Sequence, residues 1–342
     1  MNDMSHQAHP AATLREFRIG TRGSGLALAQ TEQIADRLRA KEVRVVIEVI
    51  TTRGDTRGNQ PVAALGADGV FVRELERSLL EGRIDIAVHS LKDLPTADVE
   101  GLCIAAVPER AAAFDALVGR PGDTLENLPA NSIVGTSSIR RIVQVQALRP
   151  DLLVRPVRGN VDTRIGRLDR GDYRCLILAA AGLARLGLDE RITRLLTPPD
   201  FWPAVGQGAL ALQTRSEDES ARVVVGLLDH PASHAAVVAE RSCLADLAGG
   251  CLAPVGGWAR LVDGPRLVDG PRLELGVRVL ESHAGGIAEI TVERSQPVDE
   301  AELVGFAQSV HNTARELGRR VAADLLALGA AEMLGRMRLV SE

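Results

Sequence analysis

The sequence has very few aromatic residues and almost no lysine. Phe, Trp and Tyr make up 2% of its 342 residues, so aliphatic side chains must fill the cores. The scarcity also argues against binding of single-stranded nucleic acid, because such proteins stack bases on aromatic side chains. Only Lys41 and Lys92 are lysines; the other basic residues are arginines. A genome rich in G and C is enough to explain that bias, so the clustering of the arginines carries the information rather than their number.

The sequence also lacks a zinc-binding cysteine spacing, a secretory signal and a long apolar run. Cys103, Cys175, Cys243 and Cys251 show no C-x-x-C spacing, which argues against a zinc site. Residues 1–16 are polar, and no run of about eighteen apolar residues occurs. The formal charge of −5 gives no general attraction to nucleic acid or to an anionic membrane. We therefore expect a cytoplasmic protein that uses no metal and has neither nucleic acid nor a membrane as a partner.

Strand-like and helix-like segments alternate along most of the chain. Its length and its 45% hydrophobic content favour a globular protein of two or three domains. The alternation predicts parallel sheets covered by helices, with ligands bound at the carboxyl ends of the strands. The predicted strands are 17–20, 43–50, 84–88, 102–107, 132–135, 152–157, 175–179 and 209–214. The predicted helices are 26–39, 71–80, 139–148, 162–169, 218–228, 231–247 and 299–328.

Three loops that join a predicted strand to a predicted helix combine arginine with hydroxyl or amide donors: 21–25, 135–141 and 155–164. The hydroxyls could simply cap the helices. Arg140 and Arg141, however, stand in the first turn of a helix, where their charge opposes the helix dipole. A positive helix start is better explained if it receives an anion, and guanidinium groups bind carboxylates through paired hydrogen bonds. Together the loops predict a substrate that carries several carboxylates.

A fourth loop, Val88–Pro95, holds an acid beside a cation at the end of a strand. Asp93 could merely close a turn before the proline, or it could manage protons and stabilise a positive charge in a cleft. Lys92 suits a contact with a carboxylate. His89 follows a buried strand and is interpreted as a hydrogen-bonded structural residue.

One cysteine differs from the others in its surroundings. Cys251 follows Gly249 and Gly250 in a glycine-rich loop, where a thiol is accessible, whereas most free cysteines are buried and inert. An inert thiol remains the alternative. Cys103 and Cys175 lie in predicted apolar strands and are expected to be core residues.

These motifs resemble, in their order along the chain, the porphobilinogen deaminase (hydroxymethylbilane synthase) family. The resemblance covers roughly 17–335 and rests chiefly on HSLKDLP, GTSSIRR, RGNVDTR and GGCLAPVG. It implies an α/β protein with two domains similar to type II periplasmic binding proteins, plus a smaller α+β C-terminal domain. The active site is expected between the first two domains, and a monomer is expected.

The domain boundaries predicted on this basis begin with an N-terminal extension, 1–16, that we expect to be disordered. Domain 1 comprises 17–110 and 207–228 and holds the catalytic acid. Domain 2 comprises 111–206 and binds the cofactor and carboxylates. Domain 3 comprises 229–342 and carries the cysteine loop.

The resemblance also implies the chemistry. A dipyrromethane cofactor, made from the substrate, is joined to Cys251 by a thioether. Four porphobilinogens are added head to tail, each with loss of ammonia, and hydrolysis releases hydroxymethylbilane for haem biosynthesis. Asp93 is the implied catalytic acid. The implied cofactor- or substrate-binding residues are Arg22, Ser24, Ser90, Lys92, Thr136, Ser138, Arg140, Arg141, Arg158, Gly159, Asn160, Arg164, Arg185 and Gln207.

Two points limit the resemblance. Many relatives carry lysines in a G-G-K-G pattern before the FVRELE motif, whereas this chain has Ala64 and Asp68 in that loop, which weakens the expectation that it binds carboxylates. The alternative function is a non-catalytic anion-binding module of the same fold, since fold does not fix function. That alternative leaves the Cys251 loop and the third domain without a role.

Overall fold

The computed structural model describes residues 15–50, 70–247, 253–263, 270–283, 286–299 and 308–339. The strands are β1 Phe17–Thr21, β2 Val45–Val49, β3 Ile86–Ser90, β4 Leu102–Ala106, β5 Asp115–Val118, β6 Ile133–Gly135, β7 Leu153–Arg155, β8 Cys175–Ala179, β9 Arg194–Leu196, β10 Leu210–Arg215, β11 Val255–Asp263, β12 Pro271–His283 and β13 Gly286–Pro297. The helices are α1 Gly25–Arg39, α2 Val70–Leu80, α3 Ile139–Leu148, α4 Val161–Asp169, α5 Ala180–Arg185, α6 Glu219–Gly226, α7 Pro231–Asp246, α8 Gln308–Ala327 and α9 Ala330–Leu339.

The first sheet has five strands in the order β2-β1-β3-β10-β4. Strands β1, β2 and β3 are parallel, and β10 runs antiparallel to both of its neighbours, β3 and β4. The strand that completes this sheet therefore comes from a part of the chain far beyond the other four. Phe17, Ile19, Ile34 and Leu38 are fully buried in the core between this sheet and its helices, as strands covered by helices require.

The second sheet has the order β7-β6-β8-β5-β9. Strands β6, β7 and β8 are parallel, whereas β5 is antiparallel to both β8 and β9. Each sheet therefore contains three parallel strands, as predicted, but its remaining strands join through antiparallel pairs, which the prediction did not include. Parallel neighbours need a crossover connection, usually a helix, whereas β5 and β10 each enter their sheet in the direction opposite to that of their neighbouring strands.

The third unit is a three-stranded antiparallel sheet in the order β11-β12-β13. Helices α7 and α8 cover one face of it, and Leu273, Leu275 and Val277 are buried in the core between them. Two mixed α/β units and this smaller α+β unit confirm the predicted fold class. Within the described ranges, no helix is both long and apolar enough to cross a membrane.

Arg15 lies inside the segment 1–16 that was predicted to be disordered, and it is the first described residue. Its guanidinium donates to Asp85 at 2.7 Å and to Asp218 at 2.9 Å, and so joins the two separate segments of the chain that form the first sheet unit. The remainder of the extension, 1–14, lies outside the described residues. The predicted domain boundaries stay predictions.

A buried ion pair joins the connections between the first two units to the third. Glu240 of α7 is fully buried and accepts from Arg110 at 2.6 Å and 3.2 Å. The same carboxylate accepts from the backbone N–H of Gly206 at 2.6 Å and of Ala259 at 2.7 Å. Arg110 also donates to the carbonyl of Gln207 at 2.8 Å. One carboxylate therefore holds both chain crossings against the third sheet.

Glu240→Gln is expected to lower the free energy of unfolding by about 3 to 5 kcal/mol, because it leaves the Arg110 charge buried without its partner. Urea denaturation measures the change. Glu274→Gln is the matched control: its ion pair with Arg260 spans 3.0 Å but is half exposed, and exposed pairs contribute about 0 to 1 kcal/mol. Equal losses in the two variants would contradict the role assigned to Glu240.

Candidate active-site cleft

The loops predicted to bind an anion lie at the carboxyl ends of parallel strands in the first two units. Loop 21–25 follows β1, loop 135–141 follows β6 and loop 155–164 follows β7, while the separate loop that carries Asp93 follows β3. The start of α1 faces the start of α4, because a β-carbon built on Gly25 would lie 3.9 Å from an Asp162 carboxylate oxygen. The two units thus present their loops to each other across a cleft.

A cavity of about 370 Å³ opens where all three units meet. The first unit contributes Leu91–Ala97 except Asp93, the second contributes Ser137–Arg140, and the third contributes Arg241, Leu244, Ala253 and Val255. Of the predicted binding residues, Lys92, Ser138 and Arg140 line this cavity. Cationic and hydroxyl groups therefore share it with apolar walls.

Arg140 and Arg141 are buried and bind a carboxylate that belongs to the protein. Asp115, the first residue of β5, accepts from Arg140 at 2.7 Å and from Arg141 at 2.6 Å and 3.0 Å. The two guanidiniums hold the pKa of Asp115 below its ordinary value, although burial alone would raise it. Arg141 also donates to the Ile177 carbonyl. Asp115 therefore supplies part of the negative charge that was expected at the start of α3.

Gln207 connects this ion pair to the loop of the first unit. Its amide Nε2 donates to the Ala113 carbonyl at 2.8 Å and to Asp115 at 3.0 Å. Its Oε1 accepts from Lys92 Nζ at 3.4 Å. Burial lowers the pKa of Lys92 to about 8, while the nearby Asp93 raises it. The fraction of Lys92 that is protonated therefore depends on the charges of the neighbouring residues.

Asp93 lies between two lining residues and is exposed at the cleft. It ends a short 3-10 helix, Leu91–Asp93, that directly follows β3. The pKa of Arg164 is lowered by burial and by Arg141 and raised by Asp93, so Arg164 of α4 is within electrostatic reach of this acid. The acid thus faces cations from both units.

The predicted hydroxyl residues make local contacts. Ser24 caps α1, accepting from the Ala27 N–H at 3.4 Å, and Thr136 accepts from the Ser138 N–H at 3.2 Å. Ser90 exchanges hydrogen bonds with the Gln30 amide at 3.0 Å and 3.1 Å. Capping, the simpler interpretation, accounts for Ser24.

His89 is buried, and its Nε2 lies 2.9 Å from Gln213 Oε1. Burial lowers its pKa to about 4. This agrees with the interpretation of His89 as a hydrogen-bonded structural residue.

The cavity lining does not include Arg22, Arg158, Gly159, Asn160 or Arg185, which were also predicted to bind. Arg158, Gly159 and Asn160 are exposed after β7, and Gly159 has φ +104°, which disfavours any other residue. Arg185, at the end of α5, donates to the Gly208 carbonyl at 2.8 Å, and burial lowers its pKa to about 10. Arg22 is half-buried directly after β1.

Sequence reasoning missed two charged residues that contact the loops or binding residues of the cleft. Asp115 begins β5, which was not predicted, so nothing singled out its carboxylate. Arg241 of α7 lines the cavity and donates to the carbonyls of Leu94 at 2.9 Å and Pro95 at 2.7 Å. It thereby fixes the loop that follows Asp93. The adjacent arginines of α3 indicated that a negative charge must balance them, but they did not indicate which residue supplies it.

Cys251 and the Ala64–Gly69 loop lie outside the described residues. Ala253 and Val255, which follow Cys251, line the cavity together with Lys92 and Arg140. The lining suits dipyrromethane on its own chemistry: cations and hydroxyls for the acetate and propionate groups, and Leu91 and Leu244 for the pyrrole rings.

Comparisons with known proteins identify the family to which the chain is similar. The family model described as "Porphobilinogen deaminase, dipyromethane cofactor binding domain" matches residues 17–223, and "Porphobilinogen deaminase, C-terminal domain" matches residues 234–327. Among solved structures, the methionine-binding protein MetQ is similar at 12% identity and a TM-score of 0.41, over 61% of this chain and 88% of that one.

Curated relatives named porphobilinogen deaminase match over most of their length. The protein of Acidothermus cellulolyticus is 45% identical, covering 95% of this chain and 92% of its own. The protein of Desulforudis audaxviator is also 45% identical, and the match covers 95% of this chain and 98% of that protein. The protein of Roseiflexus castenholzii is 50% identical, and the match covers 71% of this chain and 81% of that protein. On these matches, the chain belongs to the porphobilinogen deaminase family.

Proposed function

We propose that this chain condenses four porphobilinogens head to tail, with loss of ammonia at each addition, and releases hydroxymethylbilane. The observation that carries the proposal is one cavity bounded by Lys92, Arg140 and the segment that follows Cys251. The deaminase relatives support it, and none of those compared favours the alternative of a non-catalytic anion-binding module. We further propose a cytoplasmic monomer that takes porphobilinogen as its substrate.

The proposed division of work follows from the charges of the cleft. Lys92 and the cleft arginines bind the carboxylates of the substrate, because guanidinium and ammonium groups supply several donors to each acid. Asp93 acts on protons and stabilises the cation that the substrate becomes when ammonia leaves; its exposed position beside Lys92 supports this role. Cys251 would hold the dipyrromethane cofactor, which would supply the pyrrole terminus to which each unit is added.

Several predicted residues keep a more limited proposed role. Three hydroxyl residues are proposed either to orient the cleft loops or to donate hydrogen bonds to carboxylates of the substrate: Ser90, Thr136 and Ser138. Seven further predicted residues are proposed to bind the chain as it lengthens: Arg22, Ser24, Arg158, Gly159, Asn160, Arg164 and Arg185. Gln207 is proposed to act through Lys92, since its amide oxygen accepts from that ammonium.

Incubation of the purified protein with porphobilinogen tests the function directly. We expect four ammonia molecules to be released for each hydroxymethylbilane formed, because each addition breaks the carbon–nitrogen bond of one aminomethyl group and forms a carbon–carbon bond at the same methylene carbon. Ammonia and tetrapyrrole are quantified in the same reaction, with boiled protein as the control. Saturable binding of porphobilinogen without release of ammonia would instead support the non-catalytic alternative.

A further inference from the structure

The buried carboxylate of Asp115 is placed where it cannot reach a substrate. It is fully buried at the start of β5, and its two oxygens are occupied by Arg140, Arg141 and Gln207. A carboxylate in the interior is retained only when its charge is paired and hydrogen-bonded. All of its side-chain partners in the described part of the chain belong to the predicted binding set, so any role of Asp115 in the reaction must act through them.

We propose that Asp115 is a positioning residue of the cleft, which fixes the direction of the Gln207 amide and thereby holds the Lys92 ammonium at the cavity wall. The inference deepens the proposed function and rests on it. It assigns to one buried acid the link between two guanidiniums on α3 and the loop that carries Asp93.

The hydrogen bonds of Gln207 determine which way its amide faces. An amide group has a nitrogen that only donates and an oxygen that only accepts. Because Nε2 donates both to the Ala113 carbonyl and to Asp115, Oε1 must point to the opposite side, where Lys92 lies. With a neutral side chain at position 115, the amide loses a charged acceptor that enforces this direction. A turned amide would present N–H groups to the ammonium.

The charge of Asp115 acts on Lys92 as well. Asp93 and Asp115 raise the pKa of Lys92, whereas burial, Arg141 and Arg140 lower it. Arg241, on α7, lines the same cavity. Removal of the Asp115 charge leaves the two guanidiniums uncompensated and takes away one of the carboxylates. The pKa of Lys92 is therefore expected to fall further, so that a smaller fraction of Lys92 is charged near neutral pH.

The composition of the chain makes this effect measurable without any turnover. Lys41 and Lys92 are its only lysines, and Lys41 is exposed at the end of α1. Brief acetylation with acetic anhydride across pH 6 to 11, followed by peptide mass mapping, gives the titration of each amine, because only neutral amines react. The proteins carry Cys251→Ala, so that every sample has the same cofactor occupancy. Circular dichroism confirms that each is folded.

In Asp115→Asn the midpoint for acetylation of Lys92 is expected to fall by about one pH unit, a typical effect of one nearby charge. The midpoint for Lys41 should stay unchanged, so it serves as an internal reference for the reactivity of the reagent and for the pH of each sample. Asp123→Asn is the matched control: Asp123 is also buried in the second unit and paired with an arginine, Arg174, but it contacts none of the binding set. It should leave the Lys92 midpoint where it was.

A second variant keeps the proposal testable if Asp115→Asn does not fold. Gln207→Leu leaves the ion pairs of Asp115 in place and removes the acceptor of Lys92, so its Lys92 midpoint should also fall. An unchanged Lys92 midpoint in the folded variants would overturn the proposal, as would an equal fall in Asp123→Asn. Because acetylation needs no substrate, these outcomes are independent of whether ammonia is released from porphobilinogen.

Discussion

Asp93→Ala is expected to reduce the formation of hydroxymethylbilane at least about a hundredfold, which is the lower range for the loss of an acid–base group. The carboxylate is exposed at the cleft, next to Lys92 and within electrostatic reach of Arg164. Its loss removes both the proton carrier and the negative charge that stabilises the substrate-derived cation. Steady-state product formation measures the effect. Because the side chain is exposed, the variant should unfold at the same urea concentration as the parent.

Two further variants separate the charge of Asp93 from its shape. Asp93→Asn keeps the size and removes the charge, and should lose nearly as much activity as Asp93→Ala. Asp98→Ala removes another exposed acid five residues further along the chain, outside the cavity lining, and should keep full activity. Near-parental turnover in correctly folded Asp93→Ala would rule out Asp93 as the catalytic acid.

The second large effect concerns the anchor of the cofactor. The purified protein is expected to be heavier than its sequence by two linked pyrrole units, all of them on Cys251, and Cys251→Ala is expected to lack both the added mass and turnover. An enzyme that polymerises a small substrate needs to hold the growing end, and a thioether resists hydrolysis where an ester would not. Intact-protein mass and peptide mapping locate the adduct.

Two of the other cysteines serve as internal controls because their thiols are poorly suited to form a thioether. Cys175 and Cys243 are fully buried, and burial raises the pKa of each thiol to about 12, which suppresses the reactive thiolate. Cys103→Ala is the matched control variant and should retain both the added mass of the two pyrrole units and the activity. An adduct on another cysteine, or unmodified Cys251 in fully active protein, would contradict the proposed attachment.

Local sequence patterns were sufficient for much of the second unit. The prediction of helix 139–148 and strand 175–179 agrees with α3 and β8 at both ends. Apolar patterns identify such elements because a helix buries one apolar stripe, whereas a central strand buries both of its faces. The same reasoning placed the glycine- and arginine-containing loops at the carboxyl ends of strands, where the cleft lies.

What could not be predicted depends on contacts between distant segments. β5 and β9 have four and three residues, too few to show a period, and their pairing joins 115–117 to 194–196. Asp115 went unnoticed for the same reason: its partners lie 25, 26 and 92 positions away in sequence. The sequence showed an excess of positive charge at α3; only tertiary structure identifies the acid that balances part of it.

The position of β10 has a consequence for synthesis on the ribosome. Because β10 pairs with both β3 and β4, the first sheet has a gap until residues 210–215 emerge, after the whole second unit has been made. At about 5 to 20 residues per second, the chain from β4 to β10 takes roughly 5 to 20 s to translate. During that time the neighbouring edges of β3 and β4 are unpaired. We therefore expect the nascent chain to complete its second sheet before its first, and to rely most on chaperones in that interval.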